Sequence, residues 1–116
     1  HMAIHILKEP ITKAELVEMA KEEFGDVVKA VVDIEQGIMA VGGELHADEQ
    51  ASLIEKEGSQ GGSTWGINLY PKMEGENWIE FDSMVNLKPA FGNRSRSIEN
   101  LEIQEKVKEI VKRLVV

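Results

Sequence analysis

Cysteine is absent from this 116-residue chain. Disulfide staples, thiolate metal sites, cysteine nucleophiles and iron–sulfur ligation are therefore excluded. Proline is scarce, with 3 residues, so no proline-rich linker or polyproline segment can form. Apolar runs last only a few residues, far short of the roughly 20 needed to cross a bilayer. No basic segment leads into an apolar one at the start, so no secretory leader is expected. Positive charge is also in short supply: 13 Lys and Arg face 21 Asp and Glu, for a net charge of −8. Such a chain repels a phosphate backbone, so neither nucleic acid nor a membrane is an expected partner. No serine sits in a Gly-x-Ser-x-Gly elbow, and no P-loop spacing occurs. There is no internal repeat. What is present is a globular composition, 42% hydrophobic and 29% charged. The expectation is one cytoplasmic domain over residues 3–116, with His1-Met2 an expression-tag remnant.

The order of elements can be read from periodicity. Ile4–Leu7 reads as a short opening strand. Thr12-Lys13-Ala14-Glu15 forms a capping box, in which the Thr12 hydroxyl accepts the Glu15 amide. It opens a helix expected over Lys13–Phe24, with Leu16, Val17, Ala20 and Phe24 as its apolar stripe and Gly25 just past its end. Val27–Glu35 alternates, with Val28, Ala30, Val32 and Ile34 on one face. Gln36-Gly37 is a hairpin turn, and Ile38–Leu45 returns as the partner strand. Gly42-Gly43 inside that strand suggests a bulge or a close backbone approach. His46–Glu57 reads as a short helix, although Ala51, Leu53 and Glu55 would also fit a strand edge. Gly58–Ser63 is expected to be a mobile loop.

Thr64–Tyr70 and Trp78–Leu87 read as a second hairpin. If Trp65, Ile67 and Leu69 face the core, then Ile79, Phe81, Ser83, Val85 and Leu87 should join them. Opposed residues share a face, so Asn68 should lie across from Glu80 or Asp82. Trp78 and Tyr70 have the parity of that second, polar face. Pro89–Ile98 is irregular. A last helix starts near Leu101 with Asn100 as its cap, and Ile103, Val107, Ile110, Val111 and Leu114 form its stripe. The fold class is therefore α+β: an antiparallel sheet built from two hairpins, with N-terminal and C-terminal helices packed on it.

Four strings occur together in this order: Gly42-Gly43-Glu44-Leu45-His46-Ala47-Asp48-Glu49, Trp65-Gly66-Ile67-Asn68-Leu69-Tyr70-Pro71, Ile79-Glu80-Phe81-Asp82-Ser83-Met84-Val85-Asn86 and Gly92-Asn93-Arg94-Ser95. The combination resembles a family of short bacterial and archaeal proteins classed as a domain of unknown function. The resemblance covers nearly the whole chain and implies a prokaryotic, cytoplasmic, single-domain protein. It assigns no role to any residue.

Three clusters could carry chemistry. Glu44, His46, Asp48 and Glu49 combine carboxylates with an imidazole, a donor set that suits Mn²⁺, Mg²⁺ or a non-haem metal better than structural zinc. The plainer reading is a strand end running into a helix whose first-turn acids favour its dipole. Asn68, Glu80, Asp82 and Asn86 form a polar sheet face that could orient water or hold a polar ligand; solvent exposure alone would also make that face polar. Asn93, Arg94 and Arg96 lie in a loop where Arg forks could grip an anion, or could instead tie the loop to the acidic body, with Asp82 or Glu44 as partner for Arg94.

The leading expectation is binding of a small polar ligand or a protein partner, without chemistry. The alternative is a metal-dependent hydrolase of a small phosphorylated or polar substrate. In it, Glu44, His46 and Asp48 would ligate the metal, Asp82 and His46 would be catalytic, and Arg94 would hold the anion. A homodimer through an exposed Trp or Tyr face is a third possibility.

Overall fold

The computed structural model describes residues 3–116; the expected tag remnant, His1-Met2, lies outside the described residues. Five strands and three α-helices follow one another as β1 (His5–Leu7), α1 (Lys13–Glu22), β2 (Val28–Asp33), β3 (Ile38–Val41), α2 (His46–Glu57), β4 (Thr64–Leu69), β5 (Ile79–Glu80) and α3 (Leu101–Leu114). The sheet order is β1-β3-β2-β4-β5, with every neighbouring pair antiparallel. The α+β class expected from the sequence is the class observed.

The strand order explains the layers. β1 and β2 run parallel with β3 between them, joined by α1. β3 and β4 run parallel with β2 between them, joined by α2. The two crossovers step the same way along the sheet but leave from oppositely directed strands. Right-handed crossovers then require α1 and α2 on opposite faces. The packing agrees. Leu16 and Ala20 of α1 lie with Val28, Ala30, Val32, Met39 and Val41 in the main core. Leu53 of α2 lies with Val31, Ile38 and Ala40 in a smaller cluster on the other face. The β2 alternation thus separates two buried faces.

α1 begins as its capping box dictates, with the Thr12 hydroxyl 3.0 Å from the Glu15 amide. It ends two residues before the expected Phe24. Gly25, with φ 97°, takes the left-handed conformation, and its amide donates to the Ala20 carbonyl at 2.7 Å. Phe24 lies beyond the last helical residue, Glu22, and is 44% exposed, so it is not part of the buried stripe. α3 presents Val107, Ile110, Val111 and Leu114 to the main core, and the Asn100 side chain accepts from the Glu102 and Ile103 amides. Its end is tied to the start of α1 through a parallel bridge between Ile11 and Val115.

The second hairpin departs from expectation. β5 pairs only Asn68 with Glu80 and Leu69 with Ile79, which keeps the expected parity. Beyond Glu80 the chain leaves the sheet edge and rises over the α2 face, so residues 81–87 are not strand. Gly66 is the reason. A Cβ there would stand 2.5 Å from the Ser83 side chain and 2.9 Å from that of Val85. Ser83 and Val85 therefore lie over the face opposite to the one expected, and Leu87 is exposed. Trp78 also changes sides: it packs against the main core, with the Lys13 ammonium 4.4 Å from its ring. The 58–63 loop is pinned, Ser59 Oγ donating to Asp33 at 2.6 Å and Ser63 Oγ to Glu35 at 2.8 Å.

Candidate functional site

The lift of the chain over Gly66 creates a cleft of about 300 Å³ between the start of α2 and residues 83–96. Lys29 from β2, Leu45, His46 and Ala47 from the α2 entrance, and Met84 and Arg96 from the returning segment line it. Lys29 reaches this place because it pairs directly with Asn68 in the β2–β4 ladder, on the face that α2 partly covers.

His46 is half-buried, and its Nε2 lies 2.8 Å from the Ile67 carbonyl oxygen. A carbonyl only accepts, so Nε2 carries the proton and donates it. Burial lowers the imidazole pKa, with the Lys29 charge adding to that; the Ile67 carbonyl, Asn68 and Asp82 oppose it. The ring is therefore largely neutral at pH 7, with Nδ1 left as an acceptor.

The polar sheet face assembles as the parity argument requires. Asn68 Nδ2 donates to Glu80 Oε1 at 2.9 Å and to the Asp82 carbonyl at 3.0 Å, and the Tyr70 hydroxyl donates to Glu80 Oε1 at 3.3 Å. Asp82 does pair with the loop arginines, but with Arg96 rather than Arg94: Arg96 Nε donates to Asp82 Oδ1 at 2.6 Å. Arg94 is exposed, and its backbone amide donates to Glu99. Asp82 and His46 thus stand on one side of the molecule, with Arg96 at the same cleft.

Other expected site residues have internal duties. Asn86 is fully buried, donating from Nδ2 to the Gly66 and Arg96 carbonyls and accepting the Gly66 amide at 2.8 Å. Its side chain replaces the ladder partner that Gly66 loses when the chain leaves the sheet edge. Asn93 is buried too; its Nδ2 lies 2.7 Å from the Asn86 and Ser97 carbonyls, and its Oδ1 accepts the Glu99 amide. Both amides shape the loop and have little left for a ligand.

Glu44 and Asp48 are exposed. Among the described residues no three His, Asp or Glu side chains are grouped to hold a metal ion, so Glu44, His46 and Asp48 are not gathered into one. The acid of this region that turns inward is Glu49. It is fully buried, with Oε2 accepting the Gly43 amide at 3.0 Å and Oε1 without a partner. Lys29, Leu45 and Met84 were missed as site residues. The alternation of β2 puts Lys29 on the polar face, but nothing local shows that α2 ends above it.

No curated protein and no solved structure matches the chain. Its own sequence matches the family model of DUF5674, described as a protein of unknown function, over residues 5–114, and the chain belongs to that family.

Proposed function

We propose that this protein binds a small polar ligand bearing a carboxylate or phosphate group in the cleft at the start of α2. One observation carries the reading: the first turn of α2 has no side-chain cap, and it borders the same cleft as Lys29, His46 and Arg96. The N-cap residue is Leu45, whose carbonyl takes the Asp48 and Glu49 amides but whose side chain offers no acceptor to the amides ahead of them. Uncapped amides at a helix start, together with the helix dipole, favour an anion. Lys29 has no carboxylate within ion-pair distance among the described residues; its ammonium lies 5.2 Å from the centre of the Phe24 ring, so an anion in the cleft would be its first counter-ion. Leu45, Met84 and Val85 supply apolar surface for the rest of the ligand, a mixture typical of small-molecule sites. The grouping of His46, Asp82 and Arg96 supports binding without chemistry more than it supports metal-assisted hydrolysis, which would need a ligand set around an ion.

Backbone amide NMR during phosphate titration tests this. Shifts centred on His46–Asp48, Lys29 and Arg96 are expected. Lys29→Ala and Arg96→Ala should each weaken binding by roughly tenfold, the value of a lost charge-assisted hydrogen bond. Leu45→Ser should supply the missing cap, raise stability by about 1 kcal/mol and lower phosphate affinity. Unmoved amides at tens of millimolar phosphate would end the proposal. Broadening of Glu44–Asp48 by micromolar manganese would favour the hydrolase alternative instead.

A further inference from the structure

Lys88 is the one buried lysine among the described residues, only 8% exposed. Its backbone is held firmly: its amide donates to the Asn93 carbonyl at 2.9 Å, and its carbonyl accepts the Asn93 amide at 3.1 Å. Its side chain is held as well. Nζ donates to the Val85 carbonyl at 2.8 Å and stands 5.1 Å from the centre of the Trp65 ring. What it lacks is a carboxylate. No described Asp or Glu lies within ion-pair distance of it, on a molecule where acids outnumber bases. A buried ammonium without a counter-ion is costly, because the carbonyl and the ring replace only part of its hydration.

Lys88 nevertheless lines open space. It borders an open cleft of about 580 Å³ whose other lining includes Gln50, Gly62, Val85, Leu87 and Phe91. No other charged side chain lines that cleft. The site is separate from the α2 anion cleft, sharing only Val85 with it. We propose that Lys88 is a reactive amine and that this cleft admits a small aldehyde or ketone, with which Lys88 forms an imine.

The chemistry needs no co-reactant. One N–H of the neutral amine remains on the Val85 carbonyl, which fixes Nζ while its lone pair attacks the carbonyl carbon. The C=O electron pair moves to oxygen and gives a carbinolamine. The two protons that were on nitrogen leave with that oxygen as water, and the C=N bond forms. Burial supports this by lowering the Lys88 pKa, which enlarges the neutral, nucleophilic fraction at neutral pH. The Trp65 ring works the other way by favouring the cation. Leu87 and Phe91 offer apolar surface for the carbon chain of the aldehyde or ketone.

The test uses the intact chain. It is incubated at neutral pH with propanal and sodium cyanoborohydride, and propylated lysines are mapped over time by peptide mass spectrometry. Exposure alone would make Lys88 one of the slowest of the ten lysines. The proposal expects Lys88 to be modified several-fold faster than any other lysine. It also expects a folded Lys88→Arg variant to lose that fast component while the other lysines react as before. Even labelling across the chain, or protection of Lys88, overturns the proposal. The map on the unmodified sequence decides the matter even if the variant does not fold.

Discussion

Glu49 shows how much one buried carboxyl controls. Its side chain is fully enclosed beneath the Gly42-Gly43 backbone, where a Cβ on Gly43 would stand 2.9 Å from the Glu49 Cγ. Gly43 therefore marks a close approach of backbone to the Glu49 side chain, whereas a Cβ on Gly42 would meet the Ala3 carbonyl at 2.8 Å. Burial raises the Glu49 pKa to about 9, and the nearby Glu23 and Asp48 charges push in the same direction. Glu23 is itself raised to about 7 by burial and by Glu22. The native protein thus keeps protons that the unfolded chain releases near pH 4.5. The stability these two groups contribute is then fully present below that value and is lost as pH rises toward the folded values of about 7 and 9. Each such group contributes a slope of up to about 1.4 kcal/mol per pH unit. Glu49→Gln keeps an acceptor for the Gly43 amide and removes the charge. Urea unfolding should find this variant close to the parent at pH 4.5 and more stable than it at pH 8. The residual slope below about pH 7 then belongs to Glu23. Equal stability of the two proteins at pH 8 would refute this assignment. In the sequence Glu49 reads as a first-turn acid at a helix start, which it is; its enclosure depends on Gly43, six residues earlier and in the preceding loop.

At the scale of elements, the helices were legible and the last strand was not. The Thr12 capping box, the Asn100 cap and the spacing of Val107, Ile110, Val111 and Leu114 are local, and local chemistry decides helix starts and faces. The α3 stripe gives a sharp prediction. Ile110→Asp would place an unpaired charge among buried side chains of the main core. It should lower stability by at least about 3 kcal/mol, measured as a fall in the urea midpoint; an unchanged midpoint would mean that α3 does not dock through this face. The second hairpin fared differently. Alternation over Trp78–Leu87 satisfies a strand pattern, and Asn68 does meet Glu80. Yet the pairing stops there, because Gly66 opens room for Ser83 and Val85, and Asn86 supplies the hydrogen bonds that a longer strand would have made. A period of two cannot distinguish a paired strand from an extended segment crossing a sheet. The same event puts Arg96 on Asp82 and brings the 83–96 segment to the α2 entrance.

Across the whole molecule, the two crossovers bind both sheet faces into one unit. β2 carries Val28, Ala30 and Val32 on the α1/α3 side and Val31 on the α2 side, so neither layer can separate without exposing the same strand. Unfolding should therefore be a single transition. Trp65 and Trp78 both belong to the main core, whereas α2 contributes helical circular dichroism from the other face. Tryptophan fluorescence and far-ultraviolet circular dichroism should give coincident urea midpoints; a separate early loss of helix signal would show α2 unfolding on its own. The sequence by itself determined the α+β class, the helix caps, the pairing of the first hairpin and the parity that sets Asn68 across from Glu80, because each depends on a local pattern; the return strand of that hairpin nonetheless ends at Val41, short of the expected Leu45, where Gly42 takes a positive φ. Tertiary structure alone decided which face α2 covers, that Glu49 and Lys88 are buried, that Asn86 and Asn93 are spent on the backbone, and that Lys29, His46 and Arg96 share a cleft. Those outcomes follow from crossover handedness and from the space above two glycines, Gly43 and Gly66, and these are properties of segments that meet only after the chain has folded.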